Sequence, residues 1–102
     1  MNESVALSPN NPVVEVGETL VLICRIMESY RGPYNSSAVC FGHINERYCL
    51  PPEVLVIDSN TAELHLTNVS QHNIGHVYCE LPDLRFQWHA RQYVTVASTY
   101  CI

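Results

Sequence analysis

Two cysteines that lie on the apolar faces of separate strand-like segments constrain the fold of this chain most. In TLVLICRI, residues 19–26, one face carries Leu20, Leu22, Cys24 and Ile26, and in IGHVYCEL, residues 74–81, Cys79 lies between Val77 and Leu81. This alternation is typical of half-buried β-strands. The two cysteines are 55 positions apart, and two facing sheets can bring such sulfurs within bonding distance. The pattern predicts a disulfide between two packed sheets.

The predicted disulfide would contribute a large share of the stability of so small a chain. A domain of 102 residues buries a smaller fraction of its surface than a larger domain does, so its apolar core is limited. On the chain-entropy model, a bridge that closes a loop of this length stabilises by about 4 kcal/mol. Net stabilities of single domains are only about 5–15 kcal/mol.

Further short alternating segments predict the rest of the sheets. Turn signals rich in Gly, Pro, Asn and Ser separate these segments, among them VGE at residues 16–18. No window has the 3.6-residue spacing of a helix. About seven short strands in a chain of this length predict an all-β sandwich. We expect one domain over residues 1–98, with 99–102 beginning a linker. The additional strands are predicted at 13–16, 38–41, 54–57, 62–69 and 92–98.

Two competing roles for the cysteines are less consistent with the sequence. A nucleophilic cysteine needs an exposed site and a partner base, whereas Cys79 falls on the apolar side of its strand. A zinc site would recruit Cys40, His43 and Cys49, but their spacing matches no standard arrangement of paired ligands. We therefore expect neither an enzyme nor a metal or other cofactor.

Composition narrows the class of partner and the compartment. The net charge of −5 argues against nucleic acid or an anionic membrane as the partner of this domain. No apolar run approaches the ~20 residues that span a bilayer. Five cysteines and three Asn-x-Ser sequons, at Asn2, Asn35 and Asn68, are typical of extracellular glycoproteins. We predict glycosylation at the three asparagines and an extracellular location.

The order of motifs resembles that of an immunoglobulin-like domain. A cysteine on the second strand, an aromatic on the third and a cysteine on the penultimate strand are the features that carry the resemblance. Phe41 is the candidate for the position of the usual tryptophan. The usual Asp-x-Gly-x-Tyr-x-Cys motif reads NIGHVYC at 73–79. Because Val77 stands at the tyrosine position, we expect the tyrosine corner to be absent.

A narrower resemblance concerns most of residues 8–97. The segment LPPEVLVIDSNTAELHLTNVS, residues 50–70, is similar to the middle of the Ig-like domain in tall class I cytokine receptors, the group of the leptin receptor and the shared interleukin-6-type signalling subunit. SPNNPVVEVGETLVLIC, residues 8–24, resembles the first strands of that domain, and VYC, residues 77–79, resembles a later one.

This resemblance implies the ectodomain of a single-pass cell-surface receptor. Its Ig-like module would contact a helical cytokine, help to assemble the signalling complex with co-receptor chains, and make no membrane contact of its own. The alternative is an Ig-like domain of a cell-adhesion or immune-recognition receptor that binds another Ig-like surface. The type of domain that comes after residue 102 in the native chain would distinguish the two.

The pairing of the other three cysteines is less constrained. Eight residues separate Cys40 from Cys49, a length that suits a hairpin and favours a local disulfide. The alternatives are two independent thiols, or pairing of one of them with Cys101. Cys101 itself could equally belong to a following module, remain free or link two chains.

Two segments are candidates for partner contact, because binding modules carry function on loops and exposed faces. The first, residues 81–92, combines aromatic and arginine side chains, which are enriched at interface centres. Its competing interpretation is that Trp88 packs on the core. The second is the turn at 43–48, which would otherwise be a solvated hairpin tip. The candidate residues are Leu84, Arg85, Phe86, Trp88 and Arg91 in the first segment and His43, Arg47 and Tyr48 in the second.

Overall fold

A computed structural model describes residues 5–27, 36–44, 46–81 and 89–98, with the backbone alone for His89. These ranges form nine strands and two short 3-10 helices, Ser36–Ala38 and Gln71–Asn73. The strands are β1 Val5–Ser8, β2 Val13–Glu15, β3 Leu20–Ile26, β4 Cys40–His43, β5 Glu46–Tyr48, β6 Val54–Asp58, β7 Thr61–Leu66, β8 Gly75–Glu80 and β9 His89–Ala97.

The strands form two sheets, which confirms the predicted β-sandwich. One sheet has the order β1-β3-β7-β6 and the other the order β2-β9-β8-β4-β5. Neighbouring strands are antiparallel except β2, which runs parallel to β9. The two edge positions β1 and β2 come from one N-terminal segment, which therefore contributes a strand to each sheet.

The alternating segments place their apolar side chains between the sheets, as the sequence predicts. In β3 the even-numbered residues 20–26 are buried, and Val77, Cys79, Val94 and Val96 are buried in β8 and β9. The disulfide Cys24–Cys79 joins the two sheets, with a Cα–Cα distance of 6.3 Å. The core also includes Val5, Leu7, Val39, Phe41, Val54, Ala62, Leu64, Leu66, Val69 and Leu81.

A glycine turn joins β2 to β3 and is hydrogen-bonded to the loop that follows β7. Gly17 has a φ of 92°, which a residue with a side chain adopts only at a cost. The Gly17 amide donates to the Val69 carbonyl at 2.9 Å, and the Val69 amide donates to the Glu18 carbonyl at 3.0 Å. This turn is one that the sequence predicts.

Some strand boundaries differ from the predicted ones. The predicted strand 62–69 ends at Leu66, because Asn68 has a left-handed φ of 53°. The predicted strand 38–41 is displaced to 40–43, because residues 36–38 form a 3-10 helix. The last strand begins at 89 rather than 92. The short strands β1 and β5 are absent from the prediction.

The second predicted disulfide, Cys40–Cys49, is also present, with a Cα–Cα distance of 4.4 Å. It ties β4 to the residue that follows β5. Both sulfurs of the alternative zinc set are therefore in a disulfide. In the described ranges no three His, Cys, Asp or Glu side chains are grouped so that they could hold a metal ion. No helix among the same residues is long and apolar enough to cross a membrane.

Candidate protein-binding face

The outer side of the second sheet is fixed by the pairing of Phe41 with Cys79. These residues are opposite each other in the β4–β8 ladder, and both side chains are fully buried. Successive residues of a strand face opposite sides of the sheet. Gly42, which follows Phe41, and Tyr78, which precedes Cys79, therefore face outward. The core disulfide thus sets which residues of β8 are available to a partner.

One row of residues crosses four strands on this outer side. Arg47 of β5 pairs with Gly42 of β4, Gly42 pairs with Tyr78 of β8, and Tyr78 pairs with Arg91 of β9. We call the outward side of these four strands the front face. It includes this row together with His76, Glu80 and Tyr93.

The ring of Tyr78 occupies the space that a side chain at position 42 would need. A Cβ atom built on Gly42 would lie 2.7 Å from Cε2 and Cζ of Tyr78, closer than atoms of folded proteins approach. The glycine therefore lets the ring lie against the strand, where Tyr78 is half-buried. A rigid aromatic side chain placed in this way loses little conformational entropy when a partner binds it.

Arg47 forms an ion pair that holds it over the same face. Its Nη2 lies 2.9 Å from Oε2 of Glu80, and the two side chains are 53% and 27% exposed. Exposed pairs of this kind contribute only about 0–1 kcal/mol to stability. Arg91, at the other end of the row, is exposed and forms no ion pair with any residue that the structure describes.

A second aromatic pair lies beside the row. The rings of His76 and Tyr93 meet edge to face, with centroids 5.0 Å apart and an interplanar angle of 79°, and Tyr93 is 41% exposed. The N-terminal segment fixes the backbone beneath them, since Tyr93 N–H donates to Oδ1 of Asn11 at 3.1 Å and Nε2 of Gln92 donates to the Leu7 carbonyl at 2.9 Å. The face therefore has two ordered aromatic positions.

The structure brings two of the sequence candidates, Arg47 and Arg91, together on the front face. Tyr48 points to the other side of β5, where it packs against the core and donates its hydroxyl to Oε1 of Glu46 at 2.6 Å. Burial, together with that hydrogen bond, raises the pKa of Tyr48 to about 12. The phenol is therefore neutral at physiological pH and does not serve as a base.

His43 differs from the solvated hairpin tip considered for its segment. It is 2% exposed, and its Nε2 lies 3.1 Å from the carbonyl oxygen of Ile74. The reason is that 43 ends β4 on the inward side, in phase with Phe41. We therefore leave His43 out of the face. Leu84, Arg85, Phe86 and Trp88 lie outside the described residues, as do Asn2, Asn35 and Cys101.

Sequence reasoning missed Gly42, Tyr78 and Tyr93 as members of a site. The signal was partly present, because alternation places Tyr78 and Tyr93 opposite the buried positions of their strands. What it lacked was the register that brings β4, β8 and β9 side by side. Tyrosine and arginine at this density suit recognition of a protein surface.

Comparison with known proteins supports the fold and nothing finer. No family model matches the chain, and no curated protein matches it. Among solved structures it is similar to a chain of the titin M10–obscurin-like 1 Ig mutant complex, at 19% identity, a TM-score of 0.67 and coverage of 97% of this chain and 92% of that one. It is also similar to the Ig-like domain of human leucine-rich repeat-containing protein 4, at 17% identity and a TM-score of 0.65, over 99% and 93% of the two chains.

A third similar structure is the twitchin kinase region from C. elegans, at 11% identity and a TM-score of 0.66. The match covers 93% of this chain but only 15% of that much longer one. Identities this low show the architecture alone. The chain therefore has an immunoglobulin-like β-sandwich fold, as its cysteine pattern predicts.

Proposed function

We propose that this chain is an extracellular Ig-like module of a cytokine-type cell-surface receptor, and that its front face contacts a protein ligand. The observation that carries the binding role is the row Arg47–Gly42–Tyr78–Arg91, which presents an ordered aromatic ring between two arginines. Tyrosine and arginine are the side chains over-represented among the residues that dominate binding energy. The cytokine-type assignment rests on the resemblance of residues 8–97.

The charge of the front face indicates the kind of surface it would bind. The chain as a whole carries a net charge of −5. On this face, however, Arg47 forms an ion pair with Glu80, and Arg91 forms no ion pair with any of the described residues. An acidic side chain of the ligand, placed beside an apolar contact for Tyr78, would complement this arrangement. Complementary charge of this kind sets orientation and association rate more than raw affinity.

The two disulfides are consistent with this location, since such bonds persist in oxidising compartments. Co-receptor chains would then assemble around the bound ligand, as the resemblance implies. No catalytic step is part of the proposal.

Surface plasmon resonance with the immobilised, unglycosylated domain tests the proposal against a panel of secreted helical cytokines of the leptin and interleukin-6 types. We expect one of them to bind, and Tyr78→Ala and Arg91→Glu each to weaken binding at least tenfold. Arg25→Glu is the matched control, because Arg25 is an exposed arginine on the other sheet. Equal loss with the control variant would contradict the front face as the binding surface.

The alternative is an adhesion or immune-recognition module. A sheet face with aromatic side chains also suits a second Ig-like sheet. A panel of Ig-like ectodomains in the same assay distinguishes the two classes. Binding to one of these, sensitive to Tyr78→Ala, with no binding to any cytokine would favour adhesion and overturn the cytokine-type assignment.

A further inference from the structure

The loop after β7 contains the one sequon whose asparagine lies within the described residues, Asn68-Val69-Ser70. Asn68 is exposed and has a φ of 53°, a left-handed conformation that asparagine tolerates better than most residues. The bend sends Val69 into the core, where it is 1% exposed, and leaves the Asn68 side chain at the surface. Because the Asn68 side chain is exposed, core packing would not obstruct a bulky, hydrated substituent on its amide.

The two residues after Asn68 are held by the folded protein. The Val69 amide donates a hydrogen bond to the Glu18 carbonyl at 3.0 Å, and the Val69 carbonyl accepts one from the Gly17 amide at 2.9 Å.

Ser70 is the N-cap of the next short helix. Its hydroxyl accepts a hydrogen bond from the His72 amide at 3.3 Å, and its amide donates to Oδ1 of Asn73 at 2.8 Å. This reciprocal pair is a capping box at the start of Gln71–Asn73. An enzyme that reads the sequon through its hydroxyl and backbone would find both already engaged.

We propose that Asn68 carries an N-linked glycan and that this glycan is attached before the sandwich closes. In this reaction the amide nitrogen Nδ2 of Asn68 forms a bond to the anomeric carbon of a sugar donated by a lipid-linked oligosaccharide. The bond from that carbon to the pyrophosphate oxygen breaks, the lipid pyrophosphate leaves with the electron pair, and the amide proton passes to a base of the transferase. This inference rests on the proposed function, which places the chain outside the cell and so requires its secretion.

Asn68 follows β7, a strand of the first sheet, whereas the front face lies on the second sheet. Thr67 and Ser70, on either side of the asparagine, line an open groove of about 370 Å³ together with Tyr48 and Glu53. Tyr48, which lines this groove, and Arg47 are adjacent on β5 and point to opposite sides of the strand. Glycosylation and front-face binding are therefore compatible.

Occupancy is tested by secreting the domain from human cells behind an added signal sequence. Digestion with peptide N-glycosidase F in heavy-oxygen water followed by mass spectrometry should find labelled aspartate at 68. Ser70→Thr should keep the glycan, because threonine preserves both the sequon and the cap, and Asn68→Gly should remove it while tolerating the left-handed φ. Secreted, folded protein with unmodified Asn68 would overturn the site.

Timing is tested on unglycosylated domain made without the transferase. Folded domain with both disulfides, incubated with solubilised oligosaccharyltransferase and lipid-linked donor, should remain unmodified at Asn68. The same protein, reduced and alkylated, should be modified. Equal modification of the two forms would overturn attachment before closure. Because the cytokine panel uses the unglycosylated domain, failure of this inference and failure of the proposed function are separately visible.

Discussion

Tyr78 lies directly across the β4–β8 ladder from Gly42, and its ring fills the space that a side chain at position 42 would need. The pair joins fold and proposed function. The register that buries Phe41 against Cys79 on the inside is the same register that brings Gly42 under Tyr78 on the outside. The conformation of the proposed binding face is therefore a consequence of core packing.

Gly42→Ala should displace the ring of Tyr78, because the added methyl would lie 2.7 Å from two ring atoms. We expect a loss of about 1 kcal/mol in the free energy of unfolding, at the low end of overpacking costs since the ring can rotate away. Urea denaturation measures it. In a Tyr78→Ala background the same substitution should cost less, and an equal cost in both backgrounds would contradict the contact.

Phe41→Ala should remove the largest fully buried side chain of the described core. We expect a loss of about 3–5 kcal/mol in the free energy of unfolding, from lost burial and the resulting cavity. Phe41→Leu serves as the control and should cost less than about 1.5 kcal/mol if the core can repack. Denaturant midpoints of the two variants decide the matter, and indistinguishable midpoints would mean that Phe41 does not fill the tryptophan position.

Tyr48 should make stability fall at high pH. Its pKa is about 12 in the folded protein against 10.0 for the unperturbed side chain, so the unfolded chain loses this proton first. The stabilisation is fully present below pH 10 and is lost as pH rises from 10 to 12. Tyr48→Phe should flatten this part of the unfolding profile. A wild-type profile identical to that of the variant over this range would show that the phenol is not perturbed.

Cys40→Ser combined with Cys49→Ser should destabilise the domain without unfolding it. The bridge closes a loop with a sequence separation of only 9, for which the chain-entropy model gives about 2.5 kcal/mol. The melting temperature of the double variant checks this, and its circular dichroism should retain the β signal. Loss of the folded spectrum at room temperature would show that the hairpin contributes more than a local link.

The sequence predicts the parts of this fold that are encoded within single strands. Alternation in β3 and β8 identifies the buried cysteines, and the glycine at 17 marks a turn, because both signals are local. The row across the front face is different, since Gly42 and Arg91 are brought near Tyr78 by pairing between strands remote in the chain. His43 illustrates the same limit. The sequence predicts a turn there, because the strand pairing that buries it is not visible in its neighbours.

Short strands are the other difficulty. β1 and β5 contain only four and three residues, and both exist because a longer partner, β3 or β4, offers free backbone hydrogen-bonding groups. Tertiary pairing rather than local preference specifies them. Because the sequence does not predict β5, it assigns Arg47 to a turn. Arg47 is nevertheless a candidate contact residue both in that predicted turn and on the front face.

The disulfide Cys24–Cys79 sets which side chains of β8 face the core and which face outward. A peptide map of the natively folded protein under non-reducing conditions, with sulfurs assigned by mass spectrometry, tests it directly. We predict one linked pair of peptides containing Cys24 and Cys79 and another containing Cys40 and Cys49. Cys79 found as a free thiol, or joined to any cysteine other than Cys24, would contradict the sandwich and, with it, the outward placement of Tyr78.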